Sequence, residues 1–330
     1  MRIENLVRLV EGKLHTSPAV STANGIVFNP ENAKQGDIFV CEDRLQGSLE
    51  LAVAKGAFAL IADKSFVVTD KEIAWIEVDN LDLAMVRLAR FLIAKHKLST
   101  YFTSSLELDL AKSMNPPKEI LLLEDNLSSL LSLLFQGDKP SAIISSNLHL
   151  LKKISPQYLA LPNTLKPALA LPLSTLFQSS FVFEGRFYKN LFLPPFWIDS
   201  FTKLASLFTP LNWRFSSLRP FGHFVPIFVN AHLVAKSFGS TTQALIVEPD
   251  VNLFLMQAKY LKKNYPKISI KTCAPAKMDL GTEIDFAYNS IEDLLNLNPQ
   301  TFRYAPILED PSIIESLLQE KKSSKQSHLF

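Results

Sequence analysis

Two pairs of polar residues are the strongest candidates for binding chemistry in this 330-residue chain. Asn29 and Glu31 follow one predicted strand, and Asn230 and His232 lie at the end of another. The place of Asn230 and His232 suits a polar ligand, because open α/β sheets bind ligands at the carboxyl ends of their strands. A structural interpretation of the second pair is also open, in which Asn230 caps a turn and His232 is an ordinary surface histidine.

Other chemistries find no support in the sequence. It contains no GxSxG, HExxH or GxGxxG motif, and its six histidines have no metal-ligand spacing. Cys41 and Cys273 form no CxxC pair, so they are predicted to be small hydrophobic residues in a reducing compartment. Asp79 and Asp82 flank a predicted helix start and suit capping better than acid–base work. We therefore predict no metal and no cofactor.

Composition narrows the class of protein further. A net charge of +2 provides no broad positive field for nucleic acid, and 47% apolar residues are typical of a globular chain. Glu4 and Glu11 interrupt the N-terminal segment where a signal peptide needs an apolar core. No uncharged apolar run approaches the roughly 18 residues of a membrane span. These features predict a cytoplasmic protein without membrane insertion.

Hydrophobic periodicity predicts alternating strands and helices, and hence parallel sheets with right-handed crossovers. An α/β unit ends near Lys97 after a helix capped by Asn80. The pattern continues in a second unit and again in the last third of the chain, with a hairpin around Glu184-Gly185 between them. The predicted strands are Gly25–Phe28, Asp37–Cys41, Phe58–Asp63, Trp75–Val78, Ser99–Phe102, Glu119–Glu124, Ser141–Ser145, Phe224–Asn230, Gln243–Glu248 and Ile268–Cys273.

The first unit resembles the N-terminal domain of the Mur ligases, which extend the peptide stem of peptidoglycan precursors. The matching residues are Gly36-Asp37, Ile38-Phe39-Val40 and Gly56-Ala57. The last third resembles the same family at Phe208, Pro210 and Arg214, and at Asn230-Ala231, with the ligase that adds the D-alanyl-D-alanine dipeptide as the most similar member. Where the family has Asp-Ser-Arg to meet a uridine diphosphate, this chain has Asn29-Pro30-Glu31.

The resemblance implies a central domain that activates a carboxylate with ATP, and this chain departs from that pattern. The family needs a Gly-x-x-Gly-Lys-Thr loop around the phosphates, since only glycine lets the backbone approach so closely. The matching place is Thr103-Ser104-Ser105, and no glycine occurs between Gly56 and Gly137. An ordinary helix cap by Ser104 or Ser105 is predicted there instead. The family's magnesium glutamate has no counterpart in the strand end Ser145 to Asn147.

We therefore predict an α/β protein of Mur-ligase-like three-domain architecture. The predicted domains are an N-terminal domain at 1–97, a shortened, degenerate central parallel-sheet domain at 98–209, and a Rossmann-like C-terminal domain at 210–330. The hypothesis for function is a non-catalytic pseudoenzyme, a cytoplasmic binding or scaffold protein linked to peptidoglycan precursor synthesis and cell shape. An active ligase or transferase with a divergent site, or a structural interaction protein without a ligand, are the alternatives.

Two kinds of binding partner follow from this hypothesis. Asn29, Glu31, Asn230 and His232 are the candidate residues for a nucleotide-sugar precursor. Aromatic residues replace polar ones of the family in the turn after Pro194-Pro195. Phe196 and Trp197 are expected to be exposed in this turn and to bind a protein partner from cell-wall synthesis.

Overall fold

The computed structural model describes residues 1–124, 126–135, 140–163, 168–171, 174–278 and 280–327. The chain divides into two compact units. The first comprises Met1–Pro167 with Asp199–Ser217, and the second comprises Ala168–Ile198 with Leu218–Phe330. The domain boundaries expected at residues 97 and 209 stay predictions.

The first unit begins with a five-stranded sheet in the order β1-β5-β4-β3-β2, in which β2 to β5 are parallel and β1 is antiparallel to β5. This confirms the predicted parallel pairing. The strands are β1 (Lys13–Leu14), β2 (Gly25–Val27), β3 (Asp37–Val40), β4 (Ala59–Ala62) and β5 (Ala74–Glu77), and the helices are α1 (Ile3–Val10), α2 (Gln46–Ala54) and α3 (Leu81–His96).

Strand β4 shows why this sheet carries helices on both faces. All four of its residues are buried. Ala59 and Ile61 belong to the core that α1 and α3 cover, and Leu60 and Ala62 belong to the core on the α2 side. A parallel strand buried on both faces is a continuous apolar run rather than an alternating one, which is the pattern of this segment.

A second parallel sheet in the same unit has the order β7-β8-β6-β9. Strand β6 lies in its interior and leads directly into α4. The elements are β6 (Ser99–Phe102), α4 (Ser105–Ser113), β7 (Ile120–Leu123), α5 (Leu127–Phe135), β8 (Ala142–Ser145), α6 (Leu148–Ile154) and β9 (Leu159–Ala160). Helix α7 (Ile198–Phe208) contributes all but its first residue to this unit.

The second unit contains a small antiparallel sheet, β10-β11-β12, made of β10 (Leu169–Ala170), β11 (Ser179–Phe183) and β12 (Arg186–Leu191). The predicted hairpin is confirmed. Glu184 and Gly185 both have positive φ, 48° and 74°, as a two-residue turn that matches the twist of its strands requires.

The larger sheet of the second unit has the order β13-β14-β17-β15-β16, with β13 antiparallel and the other strands parallel. Its elements are β13 (Val225–Val229), β14 (Gln243–Glu248), α8 (Val251–Asn264), β15 (Cys273–Pro275), β16 (Phe286–Tyr288), β17 (Tyr304–Leu308) and α9 (Pro311–Ser327).

One predicted strand, Ile268–Cys273, is misplaced, because β15 begins only at Cys273. Ile270 makes an isolated bridge to Tyr304. The N–H and hydroxyl of Thr272 both donate to the Asp285 carboxylate, at 2.9 and 2.7 Å, so a side chain takes the place of a strand partner. Among the described residues, no helix has the length and apolar character needed to cross a membrane.

Candidate functional site

The N-terminus of α4 is closed by a carboxylate from its own first turn. Ser104 is the N-cap, and its hydroxyl accepts the Glu107 N–H at 3.2 Å. The Glu107 carboxylate accepts the Ser104 N–H at 3.1 Å and the Thr103 hydroxyl at 2.6 Å. This is a capping box, in which the side chains of Ser104 and Glu107 each accept the backbone N–H of the other residue. The prediction of an ordinary cap by Ser104 or Ser105 is confirmed for Ser104.

Two further hydroxyls donate to the same carboxylate. Ser104 Oγ lies 3.0 Å from Oε2, and Ser200 Oγ on α7 lies 3.2 Å from Oε1. Burial by itself would raise the pKa of Glu107, but the hydrogen bonds from Thr103, Ser104 and Ser200 together lower it below its ordinary value. At neutral pH the helix N-terminus therefore faces a fixed negative charge that belongs to the protein.

The end of β8 is the place where the resemblance puts a magnesium glutamate, and its polar groups serve the backbone. Ser145 is fully buried, and its Oγ accepts the Asn147 N–H at 3.1 Å. Asn147 in turn caps α6, because its Oδ1 accepts the Leu150 N–H at 2.9 Å. Within the described ranges, no group of three or more His, Cys, Asp or Glu residues is arranged to hold a metal ion.

Asn29 and Glu31 lie together at the start of a short 3₁₀ turn, Pro30–Asn32. The Asn29 Oδ1 accepts the Glu31 N–H at 3.0 Å. The Glu31 carboxylate lies 3.3 Å from Lys55 Nζ. Lys55 partly offsets the negative charge of Glu31, so this exposed pair repels a diphosphate less than an isolated carboxylate would.

Both residues line a groove of about 1750 Å³ in the first unit. One wall is β2 with the turn that follows it, another is α5, and α3 contributes Asp82, Met85 and Val86. Ile26 and Met85 are buried apolar residues in its lining, and Leu133 of α5 is 41% exposed. Of the sequence-predicted site residues, the structure places these two on a concave surface.

Asn230 and His232 belong to the second unit, where they share one turn. The Asn230 Oδ1 accepts the N–H groups of His232 and Val234, both at 3.0 Å. The His232 side chain is exposed. Because the Asn230 oxygen already holds two backbone donors, the pair has the geometry of a capped turn beyond β13, which is the structural interpretation of these residues.

The expected exposure of Trp197 is wrong. Trp197 is 2% exposed, and its ring lies 5.4 Å from Phe221 and 6.0 Å from Phe224 between centroids. Phe196 is half-buried and packs against Tyr260 at 4.7 Å. These aromatic rings pack together in the core, because burying their large apolar surfaces is more favourable than leaving them exposed to water. A partner-binding role for Phe196 and Trp197 stays a prediction, and of the two only Phe196 presents surface.

A buried charged cluster in the second unit was not foreseen from the sequence. Glu248 ends β14 with no exposed surface, and its carboxylate lies 2.7 Å from His223 Nδ1. It also accepts the N–H of Phe224 at 3.1 Å, the N–H of Asp250 at 3.1 Å and the amide of Gln257 at 2.6 Å. His223 and Phe224 lie more than twenty residues before Glu248 in the sequence, so local spacing does not reveal these two donors. With all its lone pairs engaged, Glu248 organises this end of the sheet.

No protein-family model matches the chain, and no curated protein matches it. Solved structures do match the chain. MurF from Acinetobacter baumannii is 12% identical with a TM-score of 0.58, over 96% of this chain and 98% of that one. The MurF ligase from Thermotoga maritima in complex with ADP is 13% identical with a TM-score of 0.54, over 92% and 99%. At such identities the likeness shows the fold alone. The chain has a Mur ligase-like α/β fold, and both of these similar structures are MurF ligases.

Proposed function

We propose that this protein is a non-catalytic relative of the Mur ligases that acts as a binding or scaffold protein in peptidoglycan precursor synthesis. The pathway is inferred from the fold shared with MurF over nearly the full length of both chains. The non-catalytic character is inferred from one observation above all. The Glu107 carboxylate occupies the N-terminus of α4, at the place where the resemblance puts the phosphate loop.

A triphosphate at this helix would meet two obstacles. Two donors that an anion at this turn could use, the Thr103 hydroxyl and the Ser104 N–H, are already bound to the Glu107 carboxylate. A phosphate charge about 4 Å from that carboxylate would also be repelled by about 4 kcal/mol at the effective dielectric constant of a protein surface. Without a glycine in the turn, the backbone has no conformation that relieves both obstacles by wrapping around the phosphates.

The metal that such chemistry uses lacks carboxylate ligands at the matching strand end. Ser145 and Asn147 are neutral, and each is engaged with a backbone N–H group. Magnesium beside a triphosphate is usually held by one or two carboxylates and water. The neutral residues at the end of β8 thus support the same conclusion, a protein that does not use ATP, as the capped N-terminus of α4 does.

Titration calorimetry with ATP and magnesium tests the proposal directly. We expect no heat of binding at millimolar ATP, and no release of phosphate when muramyl precursors and D-alanyl-D-alanine are added. The Glu107→Gln variant, once its fold is checked by circular dichroism, should be equally silent because the glycine loop is still missing. Magnesium-dependent binding at micromolar ATP, or phosphate release that requires a precursor, would overturn the proposal.

A further inference from the structure

The groove beside Asn29 and Glu31 is large enough to hold a segment of polypeptide. Small-molecule pockets usually measure about 300–1,000 Å³. The volume here, about 1750 Å³, is well above that range. An α-helix about 10–12 Å wide fills such a volume with about three to four turns. The dimensions therefore admit a helical polypeptide segment.

The charges of the lining favour a positive occupant. Its described residues include five carboxylates, Glu31, Asp37, Glu42, Asp82 and Glu124, against three lysines, Lys34, Lys55 and Lys153. Lys55 pairs with Glu31 within the groove, and Glu124 pairs with Lys112. Within the described part of the chain, Glu42 accepts a hydrogen bond from a neutral donor, the Ser128 hydroxyl at 2.7 Å. Asp82 is exposed in the first turn of α3.

The carboxylates of Glu42 and Asp82 also line a second, smaller cavity. It has a volume of about 140 Å³ and shares Glu42, Asp82 and Met85 with the groove. Its remaining charged lining is the ion pair between Arg44 and Asp63, whose atoms lie 2.6 Å apart. Because that pair is neutral as a whole, Glu42 and Asp82 set the sign of the potential there. A lysine or arginine side chain entering from the groove would find two acceptors.

The uncharged part of the lining combines apolar side chains with asparagine and serine residues. Its apolar members include Leu127 and Leu133 of α5 and Ile26 and Phe28 at the β2 edge, and Leu133 is 41% exposed. A leucine so exposed within a concave surface gains by being covered with another apolar side chain. An occupant that combines apolar residues with lysine or arginine on one helix satisfies both parts of the lining. This is the amphipathic helix-in-groove mode of recognition.

We propose that this groove binds a basic amphipathic helix of a partner protein, with its cationic residues directed to Glu42 and Asp82. The inference rests on the proposed function, since a groove that no longer serves a nucleotide is free to serve a protein. Attraction between the basic helix and these carboxylates would set the choice of partner and the salt dependence more than the total affinity. A uridine diphosphate, with the opposite charge, is the ligand that the groove disfavours.

Selection from a displayed library of random helical peptides identifies the occupant without assuming its sequence. The full chain is the bait, and the Glu42→Lys, Asp82→Lys double variant is the counter-selection bait. We expect the enriched peptides to carry net positive charge and apolar residues at helical spacing. Their affinity should fall at least tenfold in the double variant and fall as salt is raised. The Glu50→Lys, Glu72→Lys double variant changes two exposed carboxylates outside the groove and should bind like the unmodified protein.

Several outcomes would contradict the inference. These are no enrichment above background, enrichment of acidic or uncharged peptides, or basic peptides that bind both double variants equally. Thermal melting of each variant separates lost binding from lost folding. The ATP titration on the same preparation keeps the two proposals apart. Silence toward ATP with no enriched peptide defeats this inference alone, whereas magnesium-dependent ATP binding defeats the proposed function whatever the library shows.

Discussion

The Thr103 hydroxyl donates to the Glu107 carboxylate across 2.6 Å, in the turn where β6 passes into α4. Thr103 is itself 4% exposed, so this hydrogen bond lies on the inner side of the turn. A charged acceptor makes such a bond stronger than one between neutral groups. The pair gives the helix N-terminus an anion of its own.

Replacing Ser104 with alanine should destabilise the first unit by about 1 kcal/mol, because the N-cap loses its side-chain oxygen. For a unit of this size, that corresponds to a fall of about 2–4 °C in the melting temperature measured by calorimetry. Ser105→Ala is the matched control, since Ser105 is inside the helix and has no capping role. Equal shifts in the two variants would contradict the capping assignment.

Stability should depend on pH through Glu107. Its pKa is lowered in the folded state, so its stabilising contribution is present above the ordinary glutamate pKa and is lost as pH falls through the folded value. Glu107→Gln should therefore lower the free energy of unfolding by about 1–2 kcal/mol at pH 7. The difference in stability between the variant and the unmodified protein should disappear in acid. Urea unfolding at several pH values measures this. A gap that stays constant down to pH 3 would show that the carboxylate charge is unimportant.

Replacement by alanine should have opposite effects on stability at Gly56 and at Gly47. Gly56 has φ of 99°, and an added Cβ would lie 3.2 Å from the backbone of Gln35. Gly56→Ala should therefore cost about 1–3 kcal/mol. Gly47 lies inside α2 with open space around it, so Gly47→Ala should stabilise by about 0.5–1 kcal/mol. Chemical denaturation of both variants checks the pair, and a stabilised Gly56→Ala would refute the steric argument.

Glu248→Gln should destabilise the second unit by at least about 1–3 kcal/mol. The glutamine NH₂ would face one of the groups that now donate a hydrogen bond to the carboxylate. That buried donor would then be left without an acceptor. Glu315→Gln, at an exposed position of α9, is the control and should change stability by less than about 0.5 kcal/mol. Hydrogen exchange of the β14 amides locates the effect. Unchanged exchange in Glu248→Gln would rule out an organising role.

Both cysteines should resist thiol reagents until the chain unfolds. Burial, together with the Asp43 carboxylate, raises the pKa of the Cys41 thiol to about 11, and burial raises that of Cys273 to about 12. Thiolate is the reactive form, and both side chains are fully covered. A colorimetric disulfide reagent at pH 8 should therefore detect two thiols only in denaturant. Rapid reaction of the native protein would contradict the burial of at least one of them.

The sequence by itself determined the local features of this protein. Apolar runs of four residues predicted the buried parallel strands, because a strand covered on both faces needs no alternation. Ser104 or Ser105 was predicted to cap a helix, and the missing glycines argued against a phosphate loop. Each of these depends on neighbours within one turn or one strand, where residue type and spacing are sufficient.

Contacts between distant segments decided the rest. The Ser200 hydroxyl donates to the Glu107 carboxylate across 93 positions of sequence, a contact that no local pattern around Glu107 indicates. Trp197 is buried by rings more than twenty residues further along, although its own turn gave no sign of it. The groove exists because α5 lies beside the edge strand β2, about a hundred residues earlier. Packing of this kind depends on which surfaces meet, and no local pattern carries that information.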